Sequence, residues 1–141
     1  MKYGWKNCIT FTPEETIKQG NLFSNYVEAG DIFKLSGQLA SGKTTFIKGL
    51  SKGIGYTGEV TSPTFTLINE YESIPMIVHM DCYREKNLKR WINLGINEYF
   101  HDDHIILIEW PDVIEEIIPD RAITIQFSHI GEDKREIKII K

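Results

Sequence analysis

At 141 residues the chain has room for one domain with a substantial core, residues 1–141, and not for a nucleotide domain carrying a large separate substrate domain. Lys and Arg number 16 against 20 Asp and Glu, a net charge of −4, which excludes a global positive field for recruiting nucleic acid or anionic membrane. The two cysteines, Cys8 and Cys82, have no C-x-x-C spacing, and neither a cationic, apolar leader nor a long apolar span is read, so a reducing cytoplasm is expected, with no membrane and no disulfide-linked partner.

Residues 6–11 read as a first strand. Thr12-Pro13-Glu14-Glu15 is a helix start: Thr12 is the N-cap, Pro13 takes the first helical position and Glu15 closes a capping box, with the helix running toward Val27. After Gly30 a second strand is expected over residues 31–36. A helix follows in which Phe46, Leu50 and Ile54 recur every four residues, and it stops among Gly53, Gly55 and Gly58. Residues 64–71 and 76–81 predict two extended segments joined by a turn containing Pro75, and residues 87–100 predict a helix with Gly95 as a candidate break. Ile105-Ile106-Leu107-Ile108-Glu109 has the continuous apolar run of a strand buried on both faces of a parallel sheet. Residues 121–127 and 135–140 read as an antiparallel pair around Gly131-Glu132-Asp133. The expected architecture is α/β: a mainly parallel sheet flanked by helices, with antiparallel strands at the C-terminus.

Between the second strand and its helix lies Gly37-Gln38-Leu39-Ala40-Ser41-Gly42-Lys43-Thr44, which fits G-x-x-x-x-G-K-[ST] without a gap. Each residue type meets a separate demand. Glycines let successive backbone N–H groups turn toward phosphates, Lys43 meets the outer phosphates, and the Thr44 hydroxyl reaches a magnesium ion. The helix N-terminus adds its partial positive charge beneath them.

Two acids end apolar runs. Glu109 sits at the carboxyl end of its strand, where open α/β sheets place their ligand sites, and is a candidate for holding magnesium or polarising water. Asp81 ends residues 76–80 and could converge with Glu109 to order the attacking water; capping the next turn is the competing role. Trp110 is expected to be extended because Pro111 follows it, with its indole shielding the site or capping the core. His79 reads as a structural histidine, and Arg84 could neutralise phosphate charge, though an arginine after a strand is more often a surface ion-pair partner. In Ser62-Pro63-Thr64-Phe65 the proline stiffens a turn that could hold Thr64 as a phosphate sensor, or simply open a strand. The sequence has no Asn-Lys-x-Asp guanine reader, which favours ATP over GTP. Arginines are few, and no long insertion offers the lid of a small-molecule kinase.

Taken in order, Gly37 to Thr45, Ser62-Pro63-Thr64-Phe65-Thr66-Leu67, Asp81-Cys82-Tyr83-Arg84, Leu94-Gly95 and Ile108-Glu109-Trp110-Pro111 resemble the TsaE (YjeE) ATPase family over nearly the whole chain. The resemblance implies a P-loop NTPase fold and a bacterial, magnesium-dependent ATPase needed to make threonylcarbamoyladenosine in tRNAs that read codons beginning with A. Its implied partners are TsaD, which transfers the threonylcarbamoyl group, and TsaB, with tRNA met indirectly through the complex. It implies that Lys43 contacts the outer phosphates, that Thr44 and Glu109 hold Mg2+, and that Thr64 and Asp81 serve hydrolysis or switching. It places Trp110 near the site, and Thr12 and Arg135 along the base and sugar of ATP. Ala40 departs from the family's usual glycine, putting a Cβ where the backbone is expected to be left-handed. Gln38 replaces the usual acidic residue. A non-hydrolysing, nucleotide-gated adaptor and a small P-loop kinase are the alternatives.

Overall fold

The computed structural model describes residues 5–140. Its seven-stranded sheet comprises β1 (Cys8–Thr10), β2 (Ile32–Gly37), β3 (Ile68–Tyr71), β4 (Ile77–Asp81), β5 (Ile105–Glu109), β6 (Ile123–His129) and β7 (Arg135–Ile140), in the order β1-β7-β6-β2-β5-β4-β3. The central β6, β2, β5 and β4 run parallel, whereas β7 and β1 on one side and β3 on the other pair antiparallel. The strands needed for a parallel centre with a C-terminal antiparallel pair are therefore where the sequence pattern puts them.

Alternation along the strands divides the core in two. Phe33, Leu35, Ile77, Leu107, Ile125 and Phe127 face α1 (Pro13–Phe23) and α2 (Lys43–Ile54), meeting Phe23, Phe46 and Leu50 there. Ile32, Val78, Met80, Ile106 and Ile108 face the other way, toward α3 (Leu88–Asn93), α4 (Ile96–His101) and the 3₁₀ segment Pro111–Ile117. Gly95, with φ of 80°, separates α3 from α4 as a left-handed N-cap.

The start of α1 follows from its sequence. Thr12 Oγ1 accepts from the Glu15 N–H at 3.1 Å, and Glu15 Oε1 accepts from the Phe11 N–H at 3.0 Å, one residue ahead of the cap. The helix is shorter than expected: after Phe23 the chain tightens into a 3₁₀ turn, Ser24–Tyr26. α1 and α2 pack backbone to backbone. A Cβ added at Gly49 would fall on the Ile17 carbonyl, and one at Gly20 on the Phe46 carbonyl. The two glycines set how close α1 lies to the helix that begins at the phosphate loop.

Two local expectations are corrected. Residues 64–67 are a turn, and β3 begins only at Ile68. The Leu67 N–H donates to the Pro63 carbonyl at 2.7 Å, Leu67 takes a left-handed φ of 72°, and its carbonyl accepts from the Asp81 N–H at 3.0 Å. Those bonds curl the segment over the end of β4 and prevent it from continuing the sheet. Trp110 is not extended but left-handed, with φ 55° and ψ 60°. A following proline bars the right-handed helical region; the abrupt turn from β5 into Pro111–Ile117 then selects the left-handed alternative.

Both cysteines are free, Cys82 buried and Cys8 half-buried, and burial pushes their thiols up to about 12 and about 11. No helix among the described residues is long and apolar enough to cross a membrane. Two outcomes are expected. Gly49→Ala should lower the unfolding free energy by about 1–3 kcal/mol or more in urea titration, since the helices must separate to admit the methyl group. At pH 8 a disulfide reagent should modify neither thiol of the native protein at a rate near that of the unfolded chain, because the thiolate is the reactive form.

Candidate functional site

The parallel centre of the sheet aligns the ends of three strands. In register, Glu109 of β5 lies beside Leu35 of β2 on one side and Asp81 of β4 on the other. The loop leaving β2 after Gly37 therefore emerges next to both carboxylates. It turns through Gly42, the left-handed N-cap of α2, so Lys43 and Thr44 open that helix directly above the strand ends.

Lys43 is buried. Its Nζ donates to the Gly37 carbonyl at 2.5 Å and the Gln38 carbonyl at 3.2 Å, and stands 3.8 Å from the centre of the Trp110 ring. Burial pulls its ammonium below the ordinary lysine value, while the charges of Glu109 and Asp81 act in the opposite direction. The left-handed turn at Trp110 is what brings the indole back over this cation. Ala40 does take the left-handed conformation, with φ of 61°, so its Cβ is accommodated at a cost. The Ala40 carbonyl accepts from Arg135 Nε at 3.2 Å, tying the loop to β7.

The Thr44 hydroxyl donates to Glu109, 3.1 Å from Oε2 and 3.3 Å from Oε1. Adjacent oxygen ligands of an octahedral Mg2+, each about 2.1 Å from the ion, are separated by roughly 3 Å, so this pair fits two neighbouring corners of such a shell. Among the described residues, no group of three or more His, Cys, Asp or Glu is arranged to hold a metal. An ion here would take its remaining oxygens from phosphate and water, as Mg2+ does beside nucleotides.

Asp81 uses its two oxygens differently. Oδ1 accepts from the Tyr83 N–H at 2.9 Å, and Oδ2 faces the hydroxyls of Ser62 at 3.3 Å and Thr64 at 3.4 Å, themselves 2.9 Å apart. The turn-capping and site-facing roles thus coexist in one carboxylate. Its nearly complete burial, at 4% exposure, makes this full use of lone pairs a requirement.

These groups line one cavity of about 610 Å³, together with Leu39, Ala40, Ser41, Gly42, Thr45, Thr12, Trp110 and Arg135. Gly37 and Gln38 serve instead through the carbonyls that hold Lys43. Phe11, Ser62 and Tyr83 also border the cavity, though residue type alone marked none of them for a role. Arg84, expected as an ion-pair partner, stacks on the exposed Phe65 ring with 4.4 Å between the guanidinium carbon and the ring centre. His79 is structural in an unexpected way: fully buried, its Nε2 lies 2.6 Å from Glu109 Oε2. The available signal was strand alternation, which puts His79 on the same sheet face as Asp81 two residues on.

A glycine-bearing loop between a parallel strand and a helix, with acids at neighbouring strand ends, defines a P-loop nucleotide-binding protein. The family model for threonylcarbamoyl adenosine biosynthesis protein TsaE matches residues 10–137. A TsaE protein of Bacillus subtilis (strain 168) is 42% identical over 129 residues, covering 91% of this chain and 80% of that protein; one from Treponema pallidum (strain Nichols) is 33% identical over 132 residues, covering 94% and 98%. The crystal structure of Bacillus subtilis YdiB superposes with a TM-score of 0.81 at 38% identity, over 95% of this chain and 83% of that one. The chain belongs to the TsaE family of threonylcarbamoyl adenosine biosynthesis proteins.

The strain at Ala40 is directly measurable. Ala40→Gly should raise the unfolding free energy by up to about 1 kcal/mol in chemical denaturation, because glycine occupies left-handed backbone without the Cβ penalty and that gain exceeds its greater unfolded-state entropy.

Proposed function

We propose that this chain is a magnesium-dependent ATPase, one domain over residues 1–141, that acts in the cytoplasm with TsaD and TsaB so that tRNA threonylcarbamoyladenosine formation can turn over repeatedly. The carrying observation is the Thr44–Glu109 oxygen pair at 3.1 Å, set beside Asp81 at the mouth of a complete phosphate loop. The relatives' name, tRNA threonylcarbamoyladenosine biosynthesis protein TsaE, supports the setting.

In this reading Lys43 exchanges the Gly37 and Gln38 carbonyls for the outer phosphates of ATP, a substitution favoured because a partly dehydrated ammonium gains more from phosphate charge than from two carbonyl dipoles. The N-terminus of α2 and the loop N–H groups of residues 39–45 bind and orient the phosphates. Thr44 and Glu109 hold Mg2+, which when bound offsets phosphate charge and stabilises the leaving group. Asp81 Oδ2, with the Ser62 and Thr64 hydroxyls beside it, orients the attacking water and accepts its proton, while Thr64 registers whether the terminal phosphate is present. Trp110 excludes water from Lys43, and Thr12 and Arg135 border the base and sugar.

The test is ATP hydrolysis by the purified chain, alone and with TsaB and TsaD. The partners should raise the rate. In that assembly Lys43→Ala and Glu109→Gln should each lower kcat by about 100-fold or more, the scale for removing one preorganised electrostatic contact. A Lys43→Ala variant as active as wild type, with a rate indifferent to the partners, would sink the proposal. Repeated rounds of tRNA modification supported equally by a non-hydrolysable ATP analogue would point to an adaptor that only changes shape.

A further inference from the structure

His79 occupies the middle of β4 with no exposed surface, on the sheet face where Phe33, Leu35, Ile77 and Leu107 surround the polar strand ends Asp81 and Glu109. An imidazole in apolar surroundings is costly unless both ring nitrogens are bonded. Here both are: Nε2 lies 2.6 Å from Glu109 Oε2, and Nδ1 lies 2.9 Å from the Tyr71 hydroxyl. Tyr71 is buried on β3, and its hydroxyl donates in turn to the Thr61 carbonyl at 2.9 Å. Asn69 Nδ2 grips the same carbonyl at 3.2 Å and the Thr61 hydroxyl at 3.3 Å.

The far end sets the donor order. A carbonyl only accepts, so the single Tyr71 hydroxyl proton goes to Thr61, the Tyr71 oxygen accepts from His79 Nδ1–H, and the next proton lies between Nε2 and the carboxylate. The chain of bonds crosses three neighbouring strands, from β5 through β4 to β3, and ends one residue before Ser62. Ser62 and Thr64 are meanwhile held by Asp81, which stands next to Glu109 in register. The segment 61–64 is thus attached to both acids by separate routes.

We propose that His79 is a positioning residue that aims Glu109 at the Thr44 hydroxyl, and that Tyr71 carries the position of that carboxylate to residues 61–64. This deepens the magnesium reading above and rests on it. Short bonds to a buried carboxylate leave little room for the carboxylate to move alone. A shift of Glu109 toward a cation pulls on the ring, the ring on the phenol, and the phenol on the backbone at Thr61. The hydroxyls that flank Asp81 then respond to whether the metal is in place.

Tyr71→Phe is the incisive variant, because the ring stacks on Tyr56 with centres 4.8 Å apart and planes at 25°, and that packing survives loss of the hydroxyl. Mn2+ with a non-hydrolysable ATP analogue serves as the probe, with metal affinity read by electron paramagnetic resonance and backbone protection of residues 61–66 by hydrogen exchange. In wild type, adding Mn2+ to the analogue complex should slow exchange of 61–66 about tenfold. Tyr71→Phe should lose most of that slowing while its Mn2+ affinity changes less than twofold. His79→Leu should lose it too and bind Mn2+ about tenfold more weakly, the scale for removing a partner that orients a metal ligand. Unchanged metal-dependent protection in Tyr71→Phe, or its absence in wild type that binds Mn2+, overturns the relay. Should His79→Leu fail to fold, Tyr71→Phe decides alone. Glu109→Gln separates the two readings: Mn2+ binding that survives it defeats the magnesium assignment itself, whereas binding lost in Glu109→Gln with no effect of Tyr71→Phe defeats only the relay.

Discussion

The chemistry of this molecule depends on the pairing register of three parallel strands. β5 is hydrogen-bonded to β2 on one side and β4 on the other, with Glu109 level with Leu35 and with Asp81. Parallel strands deliver their carboxyl ends to the same edge, so one alignment places the phosphate loop, both acids and the start of α2 together. A one-residue slip would turn every side chain of the slipped strand to the opposite face. Glu109 would then meet the Trp91 and Phe100 side of the sheet, and an apolar residue would face Thr44. The continuous aliphatic run of β5, buried throughout, resists such a slip least by composition, since either face would accept Ile or Leu. The polar residues hold the register: a slip would part His79 from Tyr71, Asp81 from Ser62 and Thr64, and Glu109 from Thr44.

Gathering these polar groups at a buried edge has consequences for the rest of the structure. His79, Asp81, Glu109 and Lys43 are all buried, and each is bonded by a group that the fold supplies. Lys43 rests on the carbonyls of its own loop, Asp81 on a turn amide and two hydroxyls, and Glu109 on Thr44 and His79. The close packing of α1 on α2 through Gly20 and Gly49 sets where α2 begins, and therefore where Thr44 meets Glu109. Strain accumulates at the same edge. Ala40, Leu67 and Trp110 are the non-glycine residues with positive φ among those described, and all three belong to segments that border the cavity or brace the residues lining it. Their conformations are held by specific contacts: Arg135 on the Ala40 carbonyl, the Asp81 amide on the Leu67 carbonyl, and Lys43 against the Trp110 ring.

Much of this was legible in the chain. The phosphate loop, the capping box at Thr12, the aliphatic strand ending in Glu109 and the C-terminal hairpin are local patterns, and local patterns are set by residue spacing and backbone preference. Departures occur where a distant partner overrules the local signal. Residues 64–67 have the composition of a strand entry, yet the Asp81 amide and Pro63 carbonyl curl them into a turn. The pre-proline rule predicts extended backbone for Trp110, and the structure makes it left-handed, because the direction the chain takes after β5 is not contained in the dipeptide. His79 gave only its alternation with Asp81; that its ring would span from Tyr71 to Glu109 depends on a strand 30 residues away in sequence.

By itself, then, the sequence determined that a triphosphate-type loop would sit between a strand and a helix, which two acids would end apolar strands, and to which family the chain belongs. All of these follow from order and spacing along one chain. Only the tertiary structure decided that the two acids would be side by side, that one of them would be tied through His79 and Tyr71 to the segment touching the other, and that Trp110 would fold back over Lys43. Each of those depends on which strands become neighbours and in what register. That choice comes from burying two apolar sheet faces at once while giving partners to His79, Asp81 and Glu109 at the buried strand ends, a condition on the whole chain that no local segment contains.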